Sequence, residues 1–218
     1  MMHTHSATDD PAATKGFVIR WAAFYDPLVK VMTLGQAARL RRQSVALAAI
    51  DTGDVVLDVG CGTGDLTLAA QRRAGNIGQV SGIDPASEMI AVALRKSAAA
   101  NATIDLRVGV IEALPFPDNN FDVVLSSLMM HHLPAQIQLA GLAEIYRVLR
   151  PGGRLLIVDF KRPTSRFGRT IITALLHGGL QGGVQDLAAT LAQGRFTAVE
   201  AGDTLFPPVG YVRARKEA

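Results

Sequence analysis

The chain has 218 residues, 49% of them hydrophobic and 19% charged, which is enough apolar material for one domain with an appended cap and too much for a disordered or collagen-like chain. Its 22 Lys+Arg against 19 Asp+Glu leave a formal charge of +3, with only 6% aromatic residues. That mild balance argues against a nucleic-acid binder, whose basic surface would be stronger and interleaved with stacking side chains.

Residues 1–16 contain Asp9 and Asp10 and no apolar stretch, so they read as a disordered tail rather than a secretory signal. Residues 17–50 read as an N-terminal helical cap with Phe17, Val18, Trp21, Phe24, Leu28, Val31 and Met32 on a mixed face. Strands and helices then alternate through residues 51–160. Val55–Val59 is a buried strand, Leu66–Ala74 a helix, Val80–Ile83 a strand, Ser87–Ala100 a helix and Ile104–Val108 a strand. Phe121–Leu128 is the fourth strand, a helix from about Pro134 runs to Leu149, Pro151-Gly152-Gly153 breaks it, and Arg154–Phe160 is the fifth strand. Such alternation predicts an α/β fold, a Rossmann-like doubly wound sheet with helices on both faces. Residues 161–218 read as a helical cap followed by two strands, Phe196–Leu205 and Gly210–Arg215, which form an edge hairpin around Pro207-Pro208. No apolar run reaches the ~18 residues of a membrane span. A single cysteine, Cys61, excludes an internal disulfide and predicts a reducing, cytoplasmic setting.

Gly60-Cys61-Gly62-Thr63-Gly64 joins a strand to a helix, the context of a nucleotide-type loop. A dinucleotide fingerprint starting at Gly60 needs glycine at position 65, where the chain has Asp65. Asp58 and Asp65 disfavour a pyrophosphate and favour a cation. Asp84, at the end of the second strand, is placed to accept both hydroxyls of a ribose. A ribose acceptor in an acidic loop without a phosphate cradle points to an adenosyl ligand with a positive centre, and S-adenosylmethionine fits.

Four stretches carry a resemblance: VLDVGCGTGDL at 56–66, GIDPASEMI at 82–90, ALPFPDNNFDVVLSS at 113–127 and LRPGGRLLIVDF at 149–160. Their order and spacing resemble class I S-adenosylmethionine-dependent methyltransferases, in particular the ubiquinone/menaquinone-biosynthesis methyltransferase-like group. The resemblance implies a seven-stranded sheet with a reversed final strand. It also implies that Gly60, Cys61, Gly62 and Gly64 surround the methionine part, that Asp58 lies near its ammonium, and that Asp84 with Pro85 holds the ribose. Met89 would pack on adenine, Tyr25 would close over the methionyl carboxylate, and Ser126 would offer a backbone carbonyl to the amino group. Family members commonly place an aspartate where this chain has Val110, which cannot accept the adenine amino group; backbone contacts at Ile111 and the side chain of Glu112 are the substitutes at hand.

His131 and His132 follow the fourth strand at the carboxyl edge of the sheet, where open α/β folds bind ligands. If the acceptor must lose a proton, the candidate bases are His132, then His131 and Tyr25. No cysteine follows the fourth strand, which excludes a cytosine-C5 mechanism, and Ser126-Ser127-Leu128-Met129 stands where amino-methylating nucleic-acid enzymes carry an Asn/Asp-Pro-Pro-aromatic loop. No metal site is expected. Apolar residues flanking the pocket (Trp21, Phe24, Leu28, Met129, Met130, Ile171, Ile172, Leu175 and Leu176) suit a small lipophilic acceptor such as a phenol, quinone precursor or lipid-like molecule. Gly178/Gly179 and Gly182/Gly183 allow that cap to move, and Arg162, Arg166 and Arg169 suit an anionic head group or weak peripheral membrane contact. The expected assembly is a monomer or homodimer. Two alternatives stay open from residues alone: a cofactor-binding protein without turnover, and a nicotinamide-dependent oxidoreductase.

Overall fold

A computed structural model describes residues 22–33, 35–162 and 182–218. In chain order the elements are α1 (Ala22–Met32), α2 (Ala37–Leu47), β1 (Val55–Val59), α3 (Asp65–Ala74), β2 (Gln79–Asp84), α4 (Ser87–Ala99) and β3 (Asp105–Val108). They continue as β4 (Phe121–Ser127), α5 (Ala135–Val148), β5 (Leu149–Phe160), α6 (Val184–Gln193), β6 (Phe196–Asp203) and β7 (Val209–Lys216). The seven strands form one sheet in the order β3-β2-β1-β4-β5-β7-β6. Strands β1 to β5 pair in parallel, and β7 runs antiparallel to both β5 and β6. This is the doubly wound sheet with an edge hairpin that the strand pattern predicts. The tail, Trp21, the 171–176 apolar stretch, Gly178/Gly179, Arg166 and Arg169 lie outside the described residues.

Alternation along the central strands sends side chains into two separate cores. Leu57, Val124, Leu155 and Ile157 face α5 and α6, meeting Leu142, Ile145, Leu187 and Leu191. Val56, Val123, Leu125, Leu156 and Val158 face the other way, onto Leu40 and Ala48 of the α2 region and Leu66, Ala70 and Ala74 of α3. Leu57, Leu125, Leu155, Leu156 and Ile157 are at most 1% exposed. Each contributes roughly 2–3 kcal/mol of burial at ~25 cal/mol/Å² of apolar surface, so the centre of the sheet is the rigid part of the molecule.

β5 begins five residues earlier than the sequence pattern suggests. Leu149 pairs with Phe121, and the ladder then shifts so that Arg154 pairs with Val123. The Pro151-Gly152-Gly153 break is therefore a bulge inside the strand, with Gly152 at φ 75°. β6 likewise shifts register between Thr197 and Glu200 and ends at Asp203. At the other end of the molecule α2 does not simply cap the sheet edge; Leu40 and Ala48 tie it to the sheet face beside α3.

Candidate active site

Strand order reverses between β1 and β4, and the crevice beyond their carboxyl ends is where this fold class binds ligands. Gly60 leaves β1 at φ 74°, and both Gly60 N–H and Cys61 N–H donate to the Ile83 carbonyl, at 2.9 and 2.8 Å. A Cβ at Gly60 would lie 2.5 Å from Met129 Cγ, so the tight turn and the close approach both demand glycine. Across the crevice Leu128 leaves β4 at φ 54°, a strained value for a bulky residue, held by its N–H bond to the Val158 carbonyl at 2.8 Å.

Asp84 ends β2 and organises the loop from below. Its Oδ2 accepts Gly62 N–H at 3.0 Å and its Oδ1 accepts Ala86 N–H at 2.9 Å. Burial nevertheless raises its pKa. A carboxylate has about four acceptor positions, so roughly two remain for ligand hydroxyls. Asp58, in β1, is fully buried; its Oδ2 accepts Thr67 Oγ1–H at 2.7 Å while its Oδ1 has no partner. Desolvation, with the Asp84 charge adding to it, pushes the Asp58 pKa up to about 7.

The main crevice brings together Tyr25, Gly60, Gly62, Asp84, Pro85, Met89, Ile111, Glu112 and His132, with Val110, Ser127, Leu128, Met129 and Leu133. A second chamber opens on the far side of Tyr25 and collects Asp58, Cys61, Thr63, Asp65 and Arg41. Gly64 lines neither; at φ 81° it precedes α3 and packs against Ala93. Ser126 also lies behind the wall, buried between Val59 and Ile157, with its Oγ unpartnered; Ser127 is the residue that faces the crevice. The Cys61 thiol is buried and its pKa is pushed well above the usual value by desolvation and then by Asp58 and Asp84, so it is no nucleophile.

Burial and Asp84 push the Tyr25 phenol up to about 12, which keeps it protonated. His132 faces the crevice and its pKa falls to about 4, chiefly through burial and secondly through His131, against the opposing pull of Asp159. His131 does not reach the crevice. It is buried, its Nδ1–H donates to Asp159 Oδ1 at 2.6 Å, its backbone N–H donates to Asp159 Oδ2 at 3.1 Å, and its ring lies 3.9 Å from that of His132, centroid to centroid.

Two groups escaped sequence reasoning. Asp159, in β5, fixes His131; its only sequence signal is an acidic residue inside an apolar strand. An ionic cluster fastens α1 and α2 to the glycine loop: Lys96 pairs with Asp26 at 2.6 Å and Asp65 at 2.7 Å, Arg41 pairs with Asp65 at 2.8 Å, and Thr63 Oγ1–H donates to Asp26 at 2.6 Å. Burial alone would raise the Asp26 pKa, but the Lys96 and Thr63 bonds outweigh it and the net shift is down. These partners lie from 24 positions apart (Arg41–Asp65) to 70 (Lys96–Asp26), and no spacing rule links them.

Comparison with known proteins adds what geometry alone lacks. The methyltransferase-domain family matches residues 56–153. A demethylmenaquinone methyltransferase of Symbiobacterium thermophilum is 42% identical over 147 residues, covering 66% of this chain and 58% of the relative. A ubiquinone/menaquinone biosynthesis C-methyltransferase of Hydrogenovibrio crunogenus is 36% identical over 152 residues, covering 69% of this chain and 59% of the relative. The chain thus spans under two thirds of the length of these relatives. Among solved structures, a SAM-dependent methyltransferase from Aquifex aeolicus superposes with a TM-score of 0.65 at 22% identity, covering 86% of this chain and 97% of that one. A [4+2]-cyclase, SpnF, superposes as well, with a TM-score of 0.69 at 22% identity over 84% of this chain and 82% of its own. The fold is therefore shared with proteins named for different chemistry, and the function of this chain must be argued from the site.

Proposed function

We propose that the protein is an S-adenosylmethionine-dependent methyltransferase acting on a small lipophilic acceptor, of the phenol or quinone-precursor type. The observation that carries the cofactor is the pairing of a glycine-tight loop with buried acceptors that lack donors. Among the described residues, Asp58 Oδ1 and Glu112 Oε2 are buried without a hydrogen-bond partner. An ammonium beside Asp58 and an adenine amino group beside Glu112 would satisfy both. In this reading Asp84 uses its remaining acceptor positions on the ribose hydroxyls and Met89 gives the adenine an apolar face. Tyr25, protonated, donates over the methionyl end. A pyrophosphate is disfavoured by Asp58 and Asp84, whereas Asp65 is engaged by Arg41 and Lys96; the nicotinamide alternative is left without support.

When bound, the cofactor supplies an electrophilic methyl on a sulfonium, and in-line transfer of it spreads an existing charge. The protein's part is alignment and exclusion of water. Leu128, Met129 and Leu133 form the dry wall on the acceptor side. His132 is the group facing the crevice that is neutral at physiological pH and able to take an acceptor proton. With a pKa near 4 it is a weak base, so it serves best where the proton is shed as the methyl bond forms. Asp159 holds His131, and the His131 ring in turn holds the plane of His132.

The acceptor class rests on the relatives named for quinone biosynthesis and on the apolar wall. A turnover screen with methyl-labelled cofactor against lipophilic hydroquinones, polar catechols, nucleic acid and peptide tests it. Label in the lipophilic arm alone is the expected result. Label only in polar or polymeric arms rejects the acceptor class, and binding without label in any arm rejects turnover.

A further inference from the structure

Outside the crevice the most unusual surface lies between α2 and α3. Its floor is small and apolar, formed by Ala38, Val45, Ala46, Leu68 and Ala69, and its walls carry Arg42, Arg72 and Arg73, with Arg41 at one end. Arg39 stands one turn from Arg42 on α2. The acids on this side of the molecule are already engaged: Asp65 by Arg41 and Lys96, and Asp51 by Arg154 and, at 3.8 Å, by Arg73. Arg39, Arg42 and Arg72 are exposed and make no ion pair among the described residues. The turn that follows α3 leaves Ile77 77% exposed.

Self-repelling arginines around an apolar floor are unfavourable for an isolated fold and suit a partner that is anionic and apolar at once. We infer that the α2–α3 face is a docking surface for anionic phospholipid, with head-group phosphates on Arg39, Arg42, Arg72 and Arg73 and acyl-glycerol carbons over the floor. Nucleic acid fits less well, because the groove offers no aromatic platform and its apolar floor gains nothing from a phosphate backbone. Arginine stems lying along apolar surface with their heads at the phosphate level are the usual interfacial arrangement. Among the described residues no helix is long and apolar enough to cross a membrane, so the contact is peripheral. The groove shares Arg41 and Asp65 with the chamber behind Tyr25, so a docked bilayer would lie beside the site that the proposed lipophilic acceptor must enter.

Flotation of the full chain with phosphatidylcholine vesicles, and with vesicles containing phosphatidylglycerol as well, tests this. Wild type is expected to partition onto the mixed vesicles only, and rising salt is expected to release it. Each arginine near an anionic surface contributes roughly fivefold, so Arg42→Ala with Arg72→Ala lowers partitioning about 25-fold. Both side chains are exposed and outside the crevice, so the melting temperature and turnover of a short-chain soluble acceptor without vesicles stay at the wild-type level. That second readout separates failure of the docking surface from failure of the functional reading. Equal binding to both vesicle types, wild-type partitioning by the double variant, or retention on RNA but not on anionic vesicles overturns the inference.

Discussion

Two polar regions of this molecule solve the same problem in opposite ways. Around Arg147, near the end of α5, every donor finds an acceptor. Nε and Nη2 bond Glu144 at 2.7 and 2.8 Å, Nη1 bonds Asp118 and the Phe116 carbonyl at 2.7 and 2.8 Å, and Nη2 also reaches the Leu114 carbonyl at 3.0 Å. The Arg147 bonds hold the Glu144 carboxyl below its usual pKa. At the crevice, by contrast, Asp58 and Glu112 keep buried oxygens with no donor, and burial drives Asp58 the other way. A buried acceptor without a partner costs about 1–3 kcal/mol. Finding two unpartnered carboxylate oxygens at one sheet edge, while the Arg147 cluster is saturated, marks that edge as the place where ligand donors complete the structure.

The sharpest way to break this contrast is at the loop itself. Gly60→Ala sets a Cβ 2.5 Å from Met129 Cγ and 3.0 Å from Met129 Cβ, at φ 74°. We expect a stability loss of about 2–4 kcal/mol and at least a roughly tenfold weaker Kd for S-adenosylhomocysteine. Gly152→Ala supplies the control, since its φ is 75° with nothing within 4 Å of a new Cβ. It is expected to cost only the backbone strain of about 1–2 kcal/mol and to leave binding unchanged. Thermal melts and calorimetry on both variants decide whether packing or backbone strain matters at the loop; equal behaviour would remove the special status of Gly60.

Asp58 gives the next largest effect, and its sign follows from its shift. Its folded pKa, about 7, lies above the ordinary value of 3.8. The folded state therefore binds the proton more tightly, and the native advantage present below about pH 4 is lost as pH rises to about 7. The full cost above that is of the order of 4 kcal/mol. Asp58→Asn is expected to be more stable than wild type at pH 8 without ligand, with the difference closing towards pH 4. Ligand binding moves the other way: an ammonium prefers the ionised form, so S-adenosylhomocysteine affinity should fall by up to about tenfold per unit below pH 7, and the Asn variant should be weaker and flat. Chemical denaturation and calorimetry across pH 5–8 read both; a pH-independent wild type would detach Asp58 from the ligand.

How much of this was legible in the sequence depends on whether a signal was local. Val55–Val59 followed by three alternating glycines could be read because strand, turn and helix start are contiguous. The edge hairpin was readable from alternation on either side of Pro207-Pro208. The β5 bulge was not, because Pro151-Gly152-Gly153 looks like an ordinary break until pairing of Leu149 with Phe121 shows that the ladder resumes. The His131–Asp159 pair and the Lys96–Asp26–Asp65–Arg41 cluster are products of tertiary approach. So is the distinction between Ser126, behind the wall, and Ser127, on it, which turns on the one-residue alternation of β4 at its very end.

Glu112 offers a smaller and more selective test. If its unpartnered oxygen accepts the adenine amino group, Glu112→Leu should weaken S-adenosylhomocysteine about tenfold. S-inosylhomocysteine, which has a carbonyl in place of that amino group, should bind the variant as well as it binds wild type. Val110→Asp, which restores an acceptor two residues away, should recover adenosyl binding in the Glu112→Leu background. Loss of both ligands in parallel would make Glu112 a structural residue.

The smallest expected effect on ligand binding is also the one that probes the contrast from its saturated side. Arg147→Leu leaves the Leu114 and Phe116 carbonyls without their donor and frees Glu144 and Asp118 from their cation. Stability should fall by about 1–3 kcal/mol, moderated because the side chain is 31% exposed and water can replace part of what is lost. The affected segment begins only two residues after Glu112, so it is the shortest route by which the two regions could communicate. Val110 and Ala113 form their own bridge, and the Leu114 N–H keeps its bond to Glu144 Oε2 at 2.8 Å. The crevice wall should therefore stay in place, with a melting temperature that drops and a Kd for S-adenosylhomocysteine within about twofold of wild type. A Kd that weakens in proportion to the stability loss would show that the two regions are one cooperative unit, and that the acceptors at Asp58 and Glu112 are held in position from as far away as the end of α5.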